Sequence, residues 1–170
     1  PGAAACITAL TVSGLSTRRF AFEAFLPRDK KERGIIMDQL KEETRTIILY
    51  EAPHRLVHTL EELRQVFGGE RKISVCRELT KMHEQVLRHS VEEVIAYYQK
   101  QQPRGEYVLV IEGKSHEDIV KENREAWMMM DLEEHMAYYE AQGIGRKDAM
   151  KMVAKDRGVS KRDVYRELLD

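Results

Sequence analysis

Four runs of strand length are spaced along the first two thirds of the chain: Phe20–Pro27 (FAFEAFLP), Thr44–Pro53 (TRTIILYEAP), Lys72–Leu79 (KISVCREL) and Glu106–Gly113 (EYVLVIEG). The second and fourth are apolar almost without alternation and rich in β-branched residues, as strands covered on both faces are. Between them the period changes. Leu56, Val57, Leu60, Leu63 and Val66 form a helical stripe over 53–67 that Gly68 and Gly69 close, and Ile35, Ile36 and Leu40 mark an amphipathic helix over 28–43. A third short helix is predicted over 91–101, before Pro103. The alternating EQVLRHS (84–90) follows KISVCREL after a polar segment, which predicts an antiparallel partner. The small, apolar stretch over 2–14, with Pro1 suited to a first helical position and Gly14 to a stop, predicts a short, nearly fully buried helix. The fold class is therefore α/β, a mixed sheet flanked by helices.

After Gly113 the composition shifts. Residues 114–131 are hydrophilic apart from AWMMM and read as a linker between a lobe over 1–113 and a small helical domain over 132–170. That domain carries three helical patterns, 132–141, 145–157 and 160–169, with Ile144, Val153, Val159, Val164 and Leu168 as its expected core. The chain has 28 Lys and Arg against 29 Asp and Glu. A net charge of −1 excludes nucleic-acid binding by global charge, yet residues 143–170 carry +3 and residues 112–142 carry −6. Two cysteines in apolar runs form neither a disulfide framework nor a metal-ligand spacing, which fits a reducing cytoplasm. The six histidines share no ligand spacing, so no metal is expected. No apolar stretch approaches the roughly 20 residues of a membrane span.

Polar residues collect where predicted strands end: EAPHR (51–55), RELTK (77–81) and RGE (104–106). Ligand sites in α/β sheets gather at such ends. Arg55, Arg77, Lys81 and Arg104 on one rim would present positive charge to a phosphodiester. For the clusters to meet, strands 44–53 and 72–79 are expected as adjacent parallel neighbours joined by a right-handed crossover through helix 53–67. The alanines at 3–5 either let a ligand approach the first-turn N–H groups of their helix or serve tight helix–sheet packing. Met128–Met130 read as adaptable core or as a contact surface. Lys161 and Arg162 belong to a set of tail cations at helical spacing that suits phosphate binding.

PGAAACITALTVSGL, FAFEAFLPR, YEAPHRLVHTLEEL, RELTKMHEQVLR and RGEYVLVIEG occur in that order. The series resembles the C-terminal half of the tetrapyrrole-methylase-like (class III) S-adenosylmethionine-dependent methyltransferases. Within them it is similar to the branch that methylates a cytidine 2′-oxygen in small-subunit (16S) ribosomal RNA. The segment from Asp131 to Leu168 also looks like the small helix-turn-helix-like domain that ends this branch. The resemblance implies S-adenosyl-L-methionine as methyl donor, ribosomal RNA or the small ribosomal subunit as partner, a homodimer and a cytoplasmic setting. It also implies a missing N-terminal lobe, so that the isolated chain is inactive. A 2′-hydroxyl needs a proton acceptor and alignment with the methyl group; Glu51, Glu78 and Lys81 are the candidates for that work. Ala4, Ala5, Tyr50, Pro53 and Glu106 are the candidate donor contacts, and Arg55, Arg77, Arg104, Lys161 and Arg162 the candidate RNA contacts. Two alternatives remain open: a precorrin-type tetrapyrrole methyltransferase lobe, and a non-catalytic RNA-binding or dimerisation module.

Overall fold

The computed structural model describes residues 4–169. The expectations placed on Pro1, Gly2 and Ala3 fall outside them. Eight helices and five strands follow in the order α1 (Ala5–Val12), β1 (Phe20–Phe25), α2 (Lys30–Lys41), β2 (Thr46–Glu51), α3 (Leu56–Phe67), β3 (Lys72–Arg77), β4 (Gln85–Ser90), α4 (Val91–Lys100), β5 (Tyr107–Ile111), α5 (His116–Met129), α6 (Leu132–Glu140), α7 (Arg146–Arg157) and α8 (Lys161–Glu167) among the described residues. They form two compact units that divide after Lys114.

In the first unit the strands make one mixed sheet in the order β1-β2-β5-β3-β4. β1 runs parallel to β2, with an irregularity between Phe22 and Ala24, where Ala24 takes φ 54°. β5 is antiparallel to both β2 and β3, and β3 to β4. β2 and β3 therefore run the same way but are not adjacent, which corrects the sequence expectation. The reason is that the continuous apolar signature of β2, β3 and β5 says only that each is interior. β5 takes the central place, where both of its edges and both of its faces are covered, and all five of its residues are buried.

Alternation along the strands builds two cores. Ile47 and Leu49 of β2, Ile73 and Val75 of β3, and Leu109 and Ile111 of β5 face Met37, Leu60, Leu63 and Ile95 of α2, α3 and α4. Ile48, Cys76, Val108 and Val110 face Cys6, Ala9 and Leu10 of α1. α1 is only half covered, contrary to the nearly full burial its composition predicts: Ile7 is 45% exposed. A single short helix cannot be enclosed on all sides by one sheet face.

In the second unit the stretch read as a linker is helix α5. Its sequence lacks an apolar stripe and none of its described residues is buried. It is capped instead, Ser115 and Asp118 forming a reciprocal capping box. Helices α6, α7 and α8 close a core of Leu132, Met136, Ala149, Val153 and Val164. Ile144 and Leu168 pack against it, whereas Val159, expected inside, is 41% exposed. It follows the left-handed Gly158 at the turn between two helices, and no helical face carries it inward. Within this unit His135 is fully buried, stacked on Trp127 with ring centroids 4.0 Å apart, and its Nδ1 accepts from Arg157 Nε at 3.2 Å.

Candidate active site

β2 and β3 end level with one another. Glu51 and Arg77 each pair in register with Tyr107, the first residue of β5, so EAPHR, RELTK and RGE share one edge of the sheet although β2 and β3 are not neighbours. A cleft of about 490 Å³ opens there, within the roughly 300–1,000 Å³ typical of small-molecule sites. It lies toward the α1 face, with Ala5, Tyr50, Cys76 and Val108 in its wall and Phe25 at its side. Arg77, Glu78, Lys81 and Glu106 supply its charged groups.

The wall is held firmly. The Tyr50 hydroxyl accepts from the Cys6 backbone N–H at 3.1 Å, which ties the first turn of α1 to the end of β2. Phe22 and Phe25 meet the Tyr50 ring edge-on, with centroids 5.1 and 5.6 Å away. Burial pushes the Tyr50 phenol and the Cys76 thiol above their ordinary pKa values. Both stay neutral near pH 7, so Cys76 offers no thiolate for nucleophilic chemistry.

The RELTK turn carries backbone strain. Glu78 at φ 51° and Thr80 at φ 65° both occupy the left-handed region without being glycine, at a cost of about 1–3 kcal/mol each. Lys81 Nζ lies 3.3 Å from both Glu78 carboxylate oxygens, and the Thr80 N–H donates to Glu84 at 2.7 Å. Gly105, at φ 77°, sits so close that a Cβ would come within 3.2 Å of Glu78 Oε1. No periodicity in the sequence signals this strained turn.

Ala5, Tyr50, Glu78, Lys81, Glu106 and Arg77 thus converge on one cleft. Arg104 lines a second pocket at the same edge. Neither pocket takes Ala4, Pro53, Arg55 or Glu51 into its wall. Ala4 is the N-cap of α1, and its carbonyl accepts from the Ile7 and Thr8 N–H groups; Pro53 precedes α3, where its carbonyl accepts from Leu56. Lys161 and Arg162 open α8 of the second unit.

Glu51 is 1% exposed and points into the protein rather than into the cleft. Its Oε2 accepts from Thr59 Oγ1 at 2.5 Å and stands 4.0 Å from Arg33 Nη2, while its Oε1 accepts from the Ala52 N–H at 2.9 Å. Arg55 Nε lies 3.7 Å from Oε1, so the arginine expected to reach for RNA is turned back onto Glu51 and the Pro27 carbonyl. This is a correction to the catalytic assignment of Glu51: a carboxylate so enclosed cannot reach a substrate hydroxyl. Arg33 completes the network, donating to Thr59 and through two nitrogens to Glu62. The sequence does carry a signal for it, since Arg33 shares the inward helical face of Met37 and Leu40. A cation at such a position needs a buried carboxylate.

Known proteins are similar to this chain in sequence and in fold. The family model of tetrapyrrole (corrin/porphyrin) methylases matches residues 1–95. The ribosomal RNA small subunit methyltransferase I of Bacillus subtilis is 44% identical over 97% of this chain and 56% of its own length. That of Synechocystis is 41% identical over the whole of this chain and 59% of its own length. The chain therefore spans little more than half the length of the curated relatives it matches. Among solved structures, the cobalamin biosynthetic enzyme cobalt precorrin-4 methyltransferase CbiF superposes with a TM-score of 0.50 at 14% identity, covering 66% of this chain and 50% of its own, a likeness of fold alone. With a family match over more than half of its residues, carried on a mixed sheet whose strand ends build the cleft, this chain belongs to the tetrapyrrole methylase family.

Proposed function

We propose that this chain supplies one side of a site for S-adenosylmethionine-dependent 2′-O-methylation of a cytidine in small-subunit ribosomal RNA. The observation that carries the reading is the cleft in which Tyr50, Glu78, Lys81 and Glu106 meet at the shared strand edge, taken with the activity for which the relatives are named. The cleft suits the donor chemically. An aromatic wall fits its flat ring and the Glu106 carboxylate fits its cationic amino group. When bound, the donor supplies an activated methyl group.

The chain's own residues do the rest. Tyr50, fixed through Cys6, shapes the wall. The Glu78 carboxylate, held at 3.3 Å by the Lys81 ammonium on a strained turn, is the group that takes the proton of the 2′-hydroxyl. Arg77 at the border places a phosphate; Lys161 and Arg162, considered within the second unit alone, are further candidates for phosphate contacts. The homodimer, the cytoplasmic setting and the need for a further lobe belong to the same proposal. No helix among the described residues is long and apolar enough to cross a membrane.

Small ribosomal subunits lacking the modification, mixed with the gene product at the length of its relatives and methyl-labelled donor, should acquire label on a ribose 2′-oxygen. Label appearing only on a tetrapyrrole would overturn the reading.

A further inference from the structure

A second pocket, of about 340 Å³, opens at the same sheet edge. It lies toward α4 and shares Arg77 and Tyr107 with the first cleft, so only the strand ends separate the two. Their charge balance differs. The first cleft sets the carboxylates of Glu78 and Glu106 against the cations of Arg77 and Lys81. Among the described residues no acidic side chain lines the second, whose charged groups are the guanidinium groups of Arg77 and Arg104. Its remaining polar groups are the amides of Gln85, Gln101 and Gln102 and the phenols of the tyrosines.

The pocket is organised in advance. Arg77 Nε donates to Gln85 Oε1 at 2.6 Å and Nη1 to the Arg104 carbonyl at 3.4 Å. Gln85 is oriented in turn by donating to the Tyr97 hydroxyl at 2.8 Å, and the Arg104 N–H donates to the Tyr107 hydroxyl at 3.0 Å. Tyr98 lines the pocket with its ring, its hydroxyl being enclosed: the residue is 6% exposed and meets the rings of Tyr97 and Tyr107 edge-on, with centroids 5.0 and 5.7 Å away, which fixes the wall.

We propose that this pocket binds a ribonucleotide of the acceptor RNA adjacent to the methylated one, its phosphate on Arg77 and Arg104 and its base edge on the amides of Gln101 and Gln102. The inference rests on the RNA reading above. The ribose to be methylated must face the first cleft, where Glu78 and Lys81 stand, and Arg77 between the pockets is placed to hold the phosphate that links it to its neighbour. The absence of carboxylates from the second pocket favours the anionic phosphodiester over the cationic donor. Tyrosine and glutamine surfaces suit a flat, hydrogen-bonding base, as single-stranded RNA presents.

The test uses this chain with cytidine 3′-monophosphate as the probe and inorganic phosphate in a parallel titration, both followed by nuclear magnetic resonance. The nucleotide should shift signals of Tyr98, Gln101 and Arg104 saturably, with phosphate alone giving a smaller response. Gln101→Ala should weaken nucleotide binding about five-fold, the worth of one hydrogen bond, and the exposed Arg104→Ala should weaken it further. Absent shifts, shifts confined to the first cleft, or equal shifts with phosphate would overturn the pocket. The methyl-transfer assay separates the two claims. Transfer to ribosomal RNA with an unchanged KM in Arg104→Ala removes the pocket and leaves the function. Saturable nucleotide binding here without transfer to RNA removes the function and leaves the pocket.

Discussion

Glu51 and Arg77 end their strands opposite the same residue, Tyr107, yet meet different surroundings. Glu51 turns into the helical layer and is enclosed by Thr59, Arg33 and Arg55, while Arg77 stands half-buried between two pockets. Equal register does not give equal access, because Glu51 is covered by α2 and α3 whereas nothing among the described residues of the first unit closes over the rim at Arg77.

Replacing Glu51 tests this division. Glu51→Gln should lower the unfolding free energy by about 1–3 kcal/mol, the cost of disturbing a buried charged hydrogen-bond acceptor. Glu78→Gln, which breaks only a largely exposed pair with Lys81, should change stability by no more than about 1 kcal/mol while, under the proposed function, reducing methyl transfer. Urea unfolding of the two variants settles the order, and equal losses would remove the distinction.

Three glycines should respond differently to alanine. A Cβ at Gly113 would collide with the carbonyl oxygens of both Thr44 and Arg45. Backbone atoms cannot rotate away, so Gly113→Ala should cost about 1–3 kcal/mol or more. At Gly69 the neighbours are the flexible Glu92 carboxylate at 3.1 Å and the Glu92 Cβ at 3.3 Å, which must yield by a few tenths of an ångström, so the change should cost less than that at Gly113. Gly34 lies within α2 with nothing inside 4 Å, so Gly34→Ala should raise stability by about 0.5–1 kcal/mol. Thermal melts check the ranking.

The second unit should be sensitive to acid. His135 Nδ1 accepts from Arg157 and is therefore unprotonated there, while Nε2 lies 3.4 Å from Asp156 Oδ2, whose acidic group Tyr139 also approaches. Burial first, and Arg157 second, lower the His135 pKa below its ordinary 6.5. The unfolded chain thus binds the proton first, and stability that is complete above about pH 6.5 falls as pH drops through the folded value. At the alkaline end the Tyr139 phenol, pushed up to about 12 by burial and Asp156, gives stability that is complete below about pH 10 and lost as pH rises toward 12. Trp127 is the only tryptophan and stacks on His135. Its emission during urea unfolding at pH 7.5 and 5.5 reports the acid limb directly, and His135→Gln should flatten that difference.

Removing tail cations should act through charge alone. Lys161→Ala with Arg162→Ala should weaken binding to single-stranded RNA and reduce the dependence of log affinity on log salt by about 0.7 for each phosphate that is no longer neutralised. Affinity measured at several salt concentrations decides this; unchanged slopes would leave the two residues as solvated ends of α8.

Periodicity and glycine placement are enough to read β1 through β5 and α2, α3 and α4 close to their observed limits, because strand and helix periods are local properties of the chain. α5 escapes that reading, since a solvated helix held by a capping box leaves no apolar stripe. The polar strand ends are also legible as a shared rim. What local pattern leaves undetermined is the neighbour of each strand: β2, β3 and β5 carry the same interior signature, and only the closed layer arrangement puts β5 between the other two. The same tertiary fact turns Glu51 inward onto Arg33 and leaves Glu78, Lys81 and Arg77 at the pockets. Residue type sets what chemistry a side chain can perform, but which face of a layer it ends on, and whether a helix covers it, depends on contacts between segments far apart in the chain.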